Sequence, residues 1–156
     1  MGINLYEQDF NLWLQQTIIS LEKQDFLGLD LNNLIEELKE LGKADKNALE
    51  SNLMILLAHL LKLVIQKDAP EMMSGSWYNS VIEHRKRVKK QLKKTPSLKS
   101  YLPFALQESY LDGRDIAIKE GKRASFGVRI PDESEYPLNC PFTIDEILDD
   151  DFYGFN

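Results

Sequence analysis

Residues 53 to 66 read LMILLAHLLKLVIQ, the most apolar stretch of the chain. A helix that is apolar on nearly every face has to be surrounded, either by the other elements of a core or by lipid. Crossing a bilayer takes about 20 apolar residues, whereas this run is shorter and carries His59 and Lys62. It reads as the spine of a helical bundle, and the rest of the chain has to supply what covers it.

The periodicity elsewhere agrees. From residue 4 to about 120, apolar residues recur every three or four positions, without the strict alternation that marks strands. Tyr6, Phe10, Trp13, Ile18 and Leu21 share a face of a first helix. Asp30 is a good N-cap for a second, whose apolar stripe is Leu31, Leu34, Ile35, Leu38 and Leu41, with Gly42 expected to end it in the left-handed conformation. A third helix is expected from about Asp45 to Lys67, and a fourth capped by Ser74 or Ser76 with Trp77, Val81, Val88 and Leu92 facing inward. Thr95 and Pro96 open a short helix, and Pro103 divides it from a longer one ending at Gly121.

Beyond that point the pattern changes. KRASFGVRIPDESEYPLNCP has proline, glycine and no helical period, the composition of an irregular strap. TIDE at 143 to 146 is a capping box that opens a last short helix carrying Ile144, Ile147 and Leu148. The expected fold is all-α and a single domain: a bundle of about five helices over 4–121 with a long central third helix, a strap over 122–142, and a terminal helix over 143–152.

A chain of 156 residues can bury enough surface to fold without disulfides or metal. The single cysteine, Cys140, cannot form an internal bridge, which suits a reducing compartment. The N-terminal MGINLYEQDF lacks the basic and then apolar layout of an export signal, and Tyr6 stands where a myristoylation signal needs Ser or Thr. The expected location is the cytoplasm, without membrane attachment.

The net charge of -6 is unevenly spread. From Asp132 to Asp151 there are eight carboxylates and no Lys or Arg, while Arg85, Lys86, Arg87, Lys89, Lys90, Lys93 and Lys94 crowd the fourth helix. Phosphate contacts could use such a basic face. No aromatic residue interleaves the basic ones, as a single-strand binder would require, and Val88 and Leu92 keep the amphipathic period. A solvated helix face is the favoured reading, docking of the chain's own acidic tail an option within it, and nucleic acid the disfavoured one.

Several stretches together are similar to a known family. Tyr6, Asp9, Phe10 and Trp13, then IEELKELG (35–42), LLAHLLKL (56–63), SW (76–77), PSL (96–98) and CPFTIDEILDDDF (140–152) resemble, in order and over nearly the whole chain, a bacterial all-helical family known as domain of unknown function DUF29. The resemblance implies a helical fold. It implies no activity and no site residue.

The chemistry therefore rests on the residues themselves. Asp45, Asn52, His59 and Gln66 are spaced by sevens and share a helix face, with Lys62 one turn beyond His59, so a polar seam runs down the apolar spine. Glu37 borders the leucine stripe of the second helix, and His84 and Arg85 flank the inward face of the fourth. Convergence of Glu37, His59, His84 and Arg85 would make a general acid/base site or a two-helix metal site. The alternative is a core histidine satisfied by a carboxylate or a carbonyl, fixing how helices register. No Glu-x-x-His pair, His-Glu-x-x-His, phosphate loop, Cys-x-x-Cys or Gly-x-Ser-x-Gly occurs, so the expectation is no metal and no cofactor. DEILDDD at the C-terminus lacks calcium-loop spacing, and its acids suit a helix start.

The function expected from all this is that of a small cytoplasmic interaction or regulatory protein without catalysis of its own, pairing with a protein partner or with itself. The competing expectations are a hydrolase or nuclease working through Glu37, His59, His84 and Arg85, with or without a divalent ion, and phosphate or nucleic-acid binding through the basic helix.

Overall fold

The computed structural model describes residues 4–123 and 129–155 and is all-α, with no strand among the described residues. Its helices are α1 (Leu5–Gln8), α2 (Phe10–Glu22), α3 (Leu31–Ile65), α4 (Glu71–Lys94), α5 (Leu102–Arg123) and α6 (Ile144–Leu148), with short 3-10 turns at Pro96–Tyr101 and Glu133–Glu135. The chain falls into two compact units, Met1–Ala44 and Asp45–Asn156.

The N-terminal unit holds α1, α2 and the first part of α3. The single first helix expected from periodicity is broken at Asp9, whose backbone leaves the helical region (φ -147°) so that its side chain can accept the Leu12 N–H at 2.9 Å and cap α2. Across this break Tyr6, Phe10 and Trp13 still meet, with ring centroids 4.9 to 5.7 Å apart. Asp30 does cap the next helix, accepting from the Asn33 N–H and from the Asn33 side-chain amide. Among the described residues of this unit only Trp13 and Thr17 are buried. Twelve large apolar side chains between Phe10 and Leu41 stay exposed, Leu27 completely.

Gly42 does not end a helix. Leu31–Ile65 is one helix of 35 residues, and a Cβ added at Gly42 would meet nothing within 4 Å. Glycine inside a helix costs only about 1 kcal/mol against alanine, a penalty that the neighbouring turns outweigh.

In the C-terminal unit the second half of α3 forms the centre, as the opening motif implied. Leu49, Leu53, Leu56, Leu57, Leu60 and Leu61 are all at most 1% exposed. By length and composition α3 is the one helix among the described residues able to cross a membrane, but its apolar half is buried in protein. Helix α4 covers it with Trp77, Val81, Val88 and Leu92. The fourth helix starts at Glu71, earlier than Ser74 or Ser76. Those hydroxyls bond back to the carbonyls of Glu71 and Met73 instead of capping. Thr95 likewise makes no side-chain cap, although Pro96 takes the first position of its turn as expected.

Helix α5 crosses α3 closely because Gly113 has no side chain: a Cβ there would lie 2.8 Å from the Met54 carbonyl oxygen. Gly121, expected as a stop, instead lies within α5 and makes room for the Tyr136 hydroxyl, 2.7 Å from where its Cβ would be. Lys122 and Arg123, expected in the strap, still belong to α5; residues 124–128 lie outside the described residues, and the strap over 129–142 is irregular apart from one 3-10 turn. Tyr110 holds it by donating to the Pro137 carbonyl at 2.5 Å. The capping box at α6 is present, with Thr143 accepting the Glu146 N–H and Glu146 accepting the Thr143 N–H.

Candidate functional site

The two histidines meet. His59 stands on α3 and His84 on α4, and each turns its ring back along its own helix, as a helical side chain leans toward the N-terminus. His59 Nδ1 lies 2.8 Å from the Ile55 carbonyl oxygen, and His84 Nδ1 lies 2.8 Å from the Ser80 carbonyl oxygen. A carbonyl accepts only from an N–H, so each Nδ1 carries the proton and each Nε2 keeps the lone pair in the neutral ring. Between the rings sits the Ser80 hydroxyl, 3.3 Å from His59 Nδ1 and 3.2 Å from His84 Nδ1. Two facing bases are thus tied to one hydroxyl oxygen.

Burial pushes the His59 pKa below its ordinary value, and the charges of Lys62 and His84 push the same way against the opposing bond to Ile55. His59 is therefore a neutral base near pH 7. Two imidazoles with free Nε2 atoms are a metal-ligand chemistry. Among the described residues, however, no three or more His, Cys, Asp or Glu side chains are placed to hold an ion.

Arg85 goes elsewhere. Successive helix positions are about 100° apart, so the residue after His84 faces another neighbour. Its guanidinium, on a residue only 1% exposed, donates from Nε to the Ile147 carbonyl at 2.7 Å, from Nη2 to the Phe152 carbonyl at 2.6 Å, and from Nη1 toward the Asp150 carbonyl at 3.4 Å. It also lies over the Tyr153 ring at 5.5 Å. The helix α6 end carries unpaired carbonyls, which a buried cation satisfies. Beside it Lys89 pairs with Asp150 at 3.0 Å, so part of the basic helix does dock the acidic tail. Arg87 pairs with Glu83, and Lys86, Lys90, Lys93 and Lys94 face solvent.

Glu37 belongs to the N-terminal unit, where its carboxylate accepts the Tyr6 hydroxyl at 2.5 Å and raises the Tyr6 pKa. The expected convergence required a turn at Gly42. Without one, Glu37 and His59 stand on the same helix, about six turns apart in sequence.

The polar seam on α3 is real in its parts. Gln66 and Lys62 are each 4% exposed, and the Asn52 amide bonds to the Ala48 carbonyl. Lys62 forms an ion pair with Glu120 of α5 and lies 5.6 Å from the centre of the Trp77 ring. Burial lowers the Lys62 ammonium to about 8. Neither Glu120 nor Ser80 was legible as a partner. Ser80 carries one local signal, its place one turn before His84.

Cys140 is half-buried, with its thiol donating to the Phe142 carbonyl at 3.4 Å, and burial raises its pKa. That direction is opposite to the one a thiolate nucleophile needs. Trp13 and Trp77 are buried anchors, at 4% and 6% exposure.

No curated protein and no solved structure matches this chain. One family model does, over residues 5–153, which is nearly the full length and includes both histidines, Arg85 and the capping box of α6. The chain belongs to the family described as domain of unknown function DUF29.

Proposed function

We propose that this protein is a small interaction protein without catalysis of its own, and that its N-terminal unit is the docking element. One observation carries the reading: twelve large apolar side chains between Phe10 and Leu41 are exposed. Their summed exposed surface is on the order of 1,000 Å², against about 800 Å² per partner in a standard interface. Exposed apolar side chains that line up in one stripe mark binding surfaces on monomers.

The occupant we infer is a second copy of the chain. Leu31, Ile35, Leu38 and Leu41 form a stripe on α3 and are all roughly half or more exposed, while Phe10, Leu14, Ile18 and Leu21 present a second stripe on α2. Two helices with unsatisfied stripes are half of a four-helix arrangement, and a two-fold axis supplies the other half. The unit carries eight carboxylates and three lysines over residues 1–44. Such a charge makes apolar contact, rather than charge attraction, the force that would join two copies.

Light scattering on the eluting full-length chain tests this. Wild type is expected at twice the chain mass, and the double substitution Leu38→Glu, Leu41→Glu at the chain mass with unchanged helical content. A wild-type monomer at high concentration would remove the reading.

A further inference from the structure

A cavity of about 520 Å³ opens in the C-terminal unit where α3, α4 and α5 meet, and Lys62 is its most buried cation. Around it stand Glu120, the Trp77 indole, the Gln66 amide, Met73 and Arg123. A lysine placed only to pair with a carboxylate needs no cavity beside it. Here Lys62 lines the cavity wall, with its paired acid Glu120, the Trp77 indole and a second cation, Arg123, lining the same volume.

We propose that Lys62 is a covalent binding residue whose amine forms an imine with a small carbonyl compound bearing an anionic group. The side chains divide the work. Arg123 pairs with the anionic group, as guanidinium suits a carboxylate, and Trp77 with Met73 covers the apolar part. Gln66, at 4% exposure, offers both an amide donor and an acceptor to the polar intermediate.

The reaction balances without any redox partner. Glu120 takes a proton from the ammonium, freeing the nitrogen lone pair. The nitrogen attacks the carbonyl carbon, a C–N bond forms, and the carbonyl π pair moves to oxygen, which takes one proton from the now cationic nitrogen. The resulting hydroxyl leaves as water with a proton returned by Glu120, the nitrogen gives its remaining N–H proton to the Glu120 carboxylate, and a C=N bond is left. Burial, which holds the ammonium at about 8, makes the neutral amine accessible at moderate pH.

The test uses the full chain, pyruvate as the probe, and cyanoborohydride to reduce any imine, followed by peptide mass mapping. Exposed lysines such as Lys39, Lys43, Lys90 and Lys99 are the internal reference. The expected result is a carboxyethyl group on Lys62 at about tenfold the occupancy of those lysines, as a buried low-pKa amine beside an acid would give. Glu120→Gln should retain its circular dichroism spectrum and label Lys62 several-fold more slowly. An unlabelled Lys62, or one labelled no faster than the exposed lysines, would overturn the proposal and leave the Lys62–Glu120 pair as a helix tie. Unchanged labelling in Glu120→Gln would overturn the proton-transfer role given to Glu120.

Discussion

Arg85 Nη2 donates to the carbonyl of Phe152 at 2.6 Å, joining α4 to a residue 67 positions later. With the bonds to Ile147 and Asp150 it makes one buried guanidinium the common anchor of the C-terminal segment. Replacing it by methionine keeps much of the volume but leaves buried carbonyls unpaired, each costing about 1–3 kcal/mol. Arg85→Met should lose about 3 kcal/mol in urea unfolding, and Arg85→Lys should recover little of it, because a point ammonium cannot reach three separated oxygens. Limited proteolysis should then cut within the last residues of the folded variant first.

Gly42 and Gly113 call for opposite outcomes. At Gly42 the helix is continuous and a Cβ is unobstructed, so Gly42→Ala should stabilise by about 1 kcal/mol. Were Gly42 a left-handed stop, the same change would destabilise. At Gly113 the added Cβ meets the Met54 oxygen and, at 3.3 Å, the Ala58 nitrogen. Backbone cannot step aside cheaply, so Gly113→Ala should cost about 1–3 kcal/mol. Chemical denaturation of the two variants checks both signs.

His59 gives a pH dependence whose direction follows from its lowered pKa. Above the unfolded value of about 6.5 both states hold the ring neutral, and the stabilisation is fully present. As pH falls through that value the unfolded chain takes the proton first, and stability is lost until the folded ring also titrates. Melting temperature should therefore drop between neutral pH and about pH 5, and His59→Gln should flatten that part of the curve. Lys62 changes charge at higher pH, about 8 when folded, so the two contributions occupy separate windows. An identical acid-side slope in His59→Gln would show that His59 is not its source.

What was legible in the sequence was what local rules decide. The capping box of Thr143 and Glu146 involves residues three apart and was read correctly, as was the cap at Asp30. The apolar spine was legible because no exposed helix has its composition. Gly42 was misread because glycine serves both left-handed stops and helix interiors, and the choice depends on the turns around it. That misreading put Glu37 and His59 on separate helices, whereas both belong to α3. His59 and His84 could be paired from helical faces alone, whereas the partners of Arg85 and Lys62 come from α6 and α5, far along the chain, where periodicity says nothing of contact.

In our proposal, exposed apolar surface on the N-terminal unit brings two copies together. Sedimentation of the full chain over a range of concentration and of salt tests it most directly. Two acidic units joined by apolar contact should associate more tightly as salt screens their repulsion. The expected result is a monomer–dimer equilibrium that shifts toward dimer from low to physiological ionic strength, abolished by Leu38→Glu with Leu41→Glu. A chain that stays monomeric throughout, or a dimer that salt dissociates and those substitutions leave intact, would contradict it.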